Sequence, residues 1–137
     1  MADLTITPAN IVPGAGARIT NGTAGATVTA GQVVYLDPAD NRFKLADCDN
    51  ASATIRAAFG IATHGASNGQ PLAVQTSGDL AMGTILAAGV TYYLSPNAGG
   101  IAPIADILSG DNTVIVGMAK STSVLSVGIV ASGAALA

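Results

Sequence analysis

The sequence predicts an all-β protein. We expect a single compact β-sandwich or barrel, jelly-roll-like, built from two sequence-related halves, with at most one or two short helical turns. Three observations lead there. First, the 137 residues are half apolar and only 9% charged, with 17 Gly and six Pro among many Val, Ile and Thr, as suits short strands joined by tight turns. Second, all eight acidic residues are Asp, which favours turns and caps, and none is Glu, which favours helix interiors. Third, "VVYLDP" at 33–38 returns as "TYYLSP" at 91–96.

That return belongs to a longer repetition. "GATVTAGQVVYLDP" (25–38) matches "GTILAAGVTYYLSP" (83–96) at a constant offset of 58, with Gly25/Gly83, Tyr35/Tyr93, Leu36/Leu94 and Pro38/Pro96 in register. "LAD" (45–47), "FGIA" (59–62) and "AVQTSG" (73–78) then face "IAD" (104–106), "VGMA" (116–119) and "GIVASG" (128–133) in the same order. The chain therefore divides into an extended arm, 1–24, and a β-domain, 25–137, whose internal repeat spans 25–82 and 83–137. Two copies are too few for a solenoid.

Taken in order, the arm "LTITPANIVPGAGARITNGTAG" carries two prolines and spaced apolar residues. It reads either as a segment laid on a neighbouring chain or as a strand completing the protein's own sheet. On the first reading, Leu4, Ile6, Ile11 and Val12 are the candidate partner contacts, and the arm matters for attachment more than for folding. "QVVYL" and "VTYYL" are strands, each closed by a proline that cannot donate to a ladder. "RFKLA" alternates as a half-buried strand does. "ADCDNASATIRAA" is the one helix candidate, with Asp47 or Asp49 as N-cap, and its counterpart "ADILSGDNT" is broken by Gly110. "FGIAT" and "PLAVQTS" flank "HGASNGQ", where Asn68-Gly69 predicts a type I′ turn. "KSTS" joins the last two strands more tightly.

Chemistry is sparse. The lone Cys48 permits no intramolecular disulfide and no multi-cysteine metal site. His64, the one histidine, and Cys48 with its flanking Asp47 and Asp49 supply the residue types of a catalytic site, but no family signature surrounds them. "DPADN" and "DCDN" gather carboxylates that could hold calcium, yet both are also ordinary turn sequences. No phosphate loop is present, and five scattered basic residues leave no footprint for nucleic acid. Neither apolar stretch supplies the roughly 20 unbroken residues a membrane span needs, and the first residues lack the features of a secretory signal. We expect no catalytic residues, no cofactor, no metal, and neither nucleic acid nor membrane as partner.

The ordered blocks, above all "GIATHGASNGQPLAVQTSG" (60–78) and "YYLSPNAGGIAP" (92–103), resemble the small capsid decoration, or cement, proteins of tailed bacteriophages. The likeness covers roughly residues 25–133. It implies a structural, non-enzymatic virion protein, made in the host bacterial cytoplasm and carried on the capsid exterior. There it would form a homodimer or homotrimer and clamp neighbouring major capsid protein subunits. The alternative is a receptor- or glycan-binding module of a phage tail or fibre, for which clustered exposed aromatics would be expected.

Overall fold

A computed structural model describes residues 3–135. The predicted all-β class is the observed one: ten strands form one curled antiparallel sheet, a half-barrel, rather than two separate packed sheets. The strands are β1 (Val12–Pro13), β2 (Arg18–Thr23), β3 (Val33–Asp37), β4 (Arg42–Leu45), β5 (Gly60–Ala62), β6 (Pro71–Ala81), β7 (Thr91–Leu94), β8 (Ile101–Pro103), β9 (Asn112–Ala119) and β10 (Val124–Ala135). Helical structure is confined to one α-turn, α1 (Ala53–Arg56), and two 3-10 turns, Pro8–Asn10 and Ile104–Asp106.

The sheet order, β4-β3-β5-β6-β10-β9-β7-β8, is a palindrome. Strand β3 holds β4 on one edge and β5 on the other, and β7 likewise holds β8 and β9. Because all these pairs are antiparallel, β4 and β5 run the same way, so the chain between them must travel back across a face of the sheet. Residues 46–59 make that crossover, and 104–111 make its counterpart. Three backbone bonds tie the first crossover to the second half: Gly99 N–H to Ala46 O (2.7 Å), Cys48 N–H to Ser95 O (3.3 Å) and Asn112 N–H to Cys48 O (3.1 Å).

Three details differ from the sequence expectation. The match of "AVQTSG" to "GIVASG" sets β6 and β10 55 residues apart, yet Val74 pairs with Ala62 while Leu125 pairs with Ala119, so corresponding residues are 51 apart. What the two segments share is local: Gly78 (φ +89°) and Gly133 (φ +71°) are both left-handed, each beside a break in strand register. The motif marks a bulge, not a register. Asn68-Gly69 is a turn, closed by Gln70 N–H to Ser67 O, but Gly69 alone has positive φ, as in type II rather than the type I′ turn expected. The helix cap also moves, to Ser52; Asp47 instead accepts a turn bond from the Asp49 N–H at 3.2 Å.

The arm lies along the chain's own sheet. Strands β1 and β2 pair with β6, Leu4 N–H bonds Ile101 O on β8 (2.8 Å), and Ala24 forms a bridge with Phe43 on β4. One continuous segment thus reaches both terminal strands of the palindrome as well as its central strand, supplying partners to edges that would otherwise stand open. Of the four candidate partner contacts, Ile11 is a core residue (6% exposed), Leu4 and Ile6 pack against the core, and only Val12 is exposed, at 55%. The fit of Ile6 and Ile11 depends on Gly31: a Cβ there would meet Ile6 Cγ2 at 2.6 Å and Ile11 Cδ1 at 3.2 Å.

Candidate functional site

The two halves bury their corresponding strands unequally. On one face the pairs Val34/Tyr92, Ala62/Ala119 and Val74/Leu125 are buried in both halves. On the other, Val33, Tyr35 and Ile61 are core residues of the first half, while their counterparts Thr91 and Tyr93 are half-buried and Met118 is 52% exposed. Cross-strand partners share a face, and the pairing links Met118 to Thr91 and Ser126, and Ile115 to Tyr93 and Val130. Val130 is 58% exposed. The second half therefore presents a largely apolar sheet face that the described residues leave partly uncovered, bordered by the Asp79–Lys120 ion pair, Asp79 standing opposite Ser126.

The sequence hides this face. "TVIVGMA" is a continuous apolar run, which reads as a strand buried on both sides. The available signal is the change from Ile61 to Met118 between the matched blocks.

A second uncovered region surrounds the Asp3–Ile6 segment. The Asp3 carboxylate accepts from Ser95 Oγ (2.7 Å) and Asn97 Nδ2 (3.1 Å), fixing the segment on the β7–β8 turn. On one side of Leu4 opens a groove of about 600 Å³ with Asp3, Pro96, Asn97, Asp106 and Leu108 in its wall. On the other side lies an apolar groove of about 430 Å³ formed by Ile85, Leu86, Val90, Tyr92 and Pro103. Leu108 is 64% exposed beside the first groove, and the neighbouring Ile104 is also exposed.

The residues singled out for chemistry lie apart. Cys48 is fully buried at the joint between the halves, and burial, with Asp111, Asp49 and Asp47 nearby, pushes its thiol up to about 12. Such a group is a thiol, not a nucleophilic thiolate, at neutral pH. Burial and a hydrogen bond with Asp49 raise Asp47 to about 6. His64 serves the β5–β6 loop: Ala73 N–H donates to its Nε2 (3.0 Å), which leaves Nδ1 as the donor to Gly65 O (2.9 Å).

In "DPADN", Lys44 Nζ lies 2.7 Å from Asp37 and 3.1 Å from Asp40, and the hydrogen bond from Lys44 lowers the Asp37 carboxyl. An ammonium thus occupies the position that calcium would need. Asn41 takes the left-handed conformation (φ 59°) that completes the hairpin turn. Among the described residues, no cluster of three or more His, Cys, Asp or Glu side chains could hold a metal ion. No protein-family model matches the chain, and no curated protein matches it.

Proposed function

We propose that this chain is a structural protein of a tailed-phage virion that binds the capsid exterior and cements neighbouring major capsid subunits. The observation that carries the reading is the uncovered face of β7, β9 and β10, whose counterpart in the first half is core. A largely apolar sheet face, whose bordering charges are paired with each other, suits protein contact. The resemblance of the two motif-bearing segments supplies the kind of partner. Cementing needs no reaction: a protein that binds the assembled lattice better than its free subunits stabilises that lattice by mass action, and many copies act together. A homodimer or homotrimer would multiply the contacts made by each copy.

Quantitative mass spectrometry and cryo-EM of purified, intact particles test this. The expected result is one copy, or a small fixed number, per major capsid subunit over the shell exterior. Absence from particles would refute the proposal. A handful of copies confined to the tail would favour the receptor- or glycan-binding role instead.

A further inference from the structure

The seat of the arm carries an inference about a second copy of this chain, independent of what a particle surface offers. Residues 3–15 lie on elements that come later in the sequence. Leu4 N–H bonds Ile101 O (2.8 Å), and the Asp3 carboxylate accepts from Ser95 and Asn97. Farther along, Ile6 and Ile11 share the space over Gly31, and the Asp79 backbone bonds both Gly14 (2.7 Å) and Ala15 (3.0 Å). The segment ends in one tight turn, Gly14–Ala17, closed by a long bond from Ala17 N–H to Gly14 O (3.4 Å). Gly16, exposed in that turn, is left-handed (φ +70°). Openings flank the segment: the two grooves beside Leu4, and a third of about 280 Å³ beside Asp3 and Ile6.

We propose that residues 3–15 exchange between two copies of the chain, each arm lying on the other copy's β8, Gly31 and β6. A second copy is the occupant because the seat already fits this segment residue by residue, a carboxylate at position 3 and aliphatic side chains at 4, 6 and 11. Exchange re-forms each of these contacts, so their energies cancel between closed monomer and exchanged dimer. What differs is the Gly14–Ala17 turn, which opens at the cost of one long hydrogen bond, and the freedom lost when two chains join. The order of synthesis favours exchange. Asp3 waits across 92 residues for Ser95, and meanwhile the finished β8 of another chain is an equally good seat. Once exchanged, the pair separates only when both copies of Ile11, each 6% exposed, leave the core, so the link breaks slowly.

The test is refolding of the full chain at low and at high concentration, followed by light scattering on a sizing column at one common dilution. Concentrated refolding should yield a dimer that persists after dilution, and dilute refolding a monomer. In a dimer refolded from an equal mixture of isotope-labelled and unlabelled chains, isotope-filtered NMR should show the Ile6 methyl groups of one copy against Gly31 of the other. Gly16→Ala places an L side chain at a left-handed position with open space around it, so it strains the closed turn and is relieved when the turn opens. With two turns per dimer, it should raise the dimer-to-monomer ratio about tenfold. Lengthening the turn by two glycines should lower that ratio.

Monomer at every concentration would overturn the proposal. So would a dimer that falls apart at once on dilution, or one whose Ile6–Gly31 contacts all lie within single copies, since either is association through another surface. The filtered NMR contacts in the unaltered chain decide the matter even where a turn variant fails to refold. Particle binding separates this inference from the broader reading. If particles carry only copies whose arms lie on their own sheets, exchange is refuted and decoration stands. If the exchanged dimer forms but attaches to no particle, decoration falls and exchange stands.

Discussion

Replacing Ile11 with Ala should destabilise the isolated chain by about 3 kcal/mol. Ile11 is 6% exposed, and its side chain fills the space over Gly31 alongside Ile6. Truncating a buried isoleucine forfeits its transfer free energy and leaves a cavity, together about 2–5 kcal/mol. For a chain of this length, about 4 °C per kcal/mol is a fair conversion, so Tm should fall by about 12 °C. Val12→Ala is the matched control: it lies on the same arm, one residue away, but is 55% exposed and should change stability by no more than about 0.5 kcal/mol. The assay is calorimetry or circular-dichroism melting of the two variants beside the unaltered chain. The contrast matters because an arm laid on a neighbouring chain would leave both substitutions neutral in the isolated protein. A melt of Ile11→Ala within about 2 °C of the unaltered chain would refute the packing argument.

The unequal burial of the halves predicts an unequal pair: Ile61→Ala should cost about 2–5 kcal/mol, and Met118→Ala no more than about 0.5, read from the same melts. Asp47 makes stability fall with rising pH. Its folded pKa of about 6 lies above the ordinary aspartate value of 3.8, so the folded state binds the extra proton and stability declines between about pH 4 and 6, then levels off. Asp47→Asn should flatten that slope in melts taken across the range; an unchanged slope would assign it to other groups. Cys48 should resist a thiol reagent in the native state and react only on unfolding, and Cys48→Ser should cost about 1–3 kcal/mol by burying a hydroxyl in apolar surroundings.

What the sequence discloses is local. The strands around Tyr35 and Tyr93 are legible because β-branched and aromatic runs stop at proline, and the shortness of the helices is legible in Gly110. The register of β10 is not, because its closest match to β6 records a bulge glycine rather than a cross-strand partner. The arm's place on its own sheet is legible only as one of two readings, because the choice turns on pairings with β6 and β8, far along the chain. The candidate surfaces were missed for one physical reason. Leu108 and Met118 look like core residues in any local window, and their exposure depends on what the opposite half of the molecule does not cover. Ile11 shows the reverse, an apolar point on a proline-rich arm that tertiary packing draws inside.

The reach of the arm also sets an order of events in folding. Asp3 meets Ser95 across 92 residues of sequence, and Leu4 meets Ile101 farther still. Contacts this distant form slowly, because the entropy of closing the intervening loop is lost before they contribute any stability. During synthesis, the Asp3–Leu4 segment must wait for β7 and β8 before it has anywhere to dock. Until then that segment lacks its native partner, and the nascent chain is more exposed to pairing with its neighbours. Folding rate and yield should therefore respond to changes in the β7–β8 turn, around Ser95 and Asn97, more strongly than that turn's small share of the core would suggest.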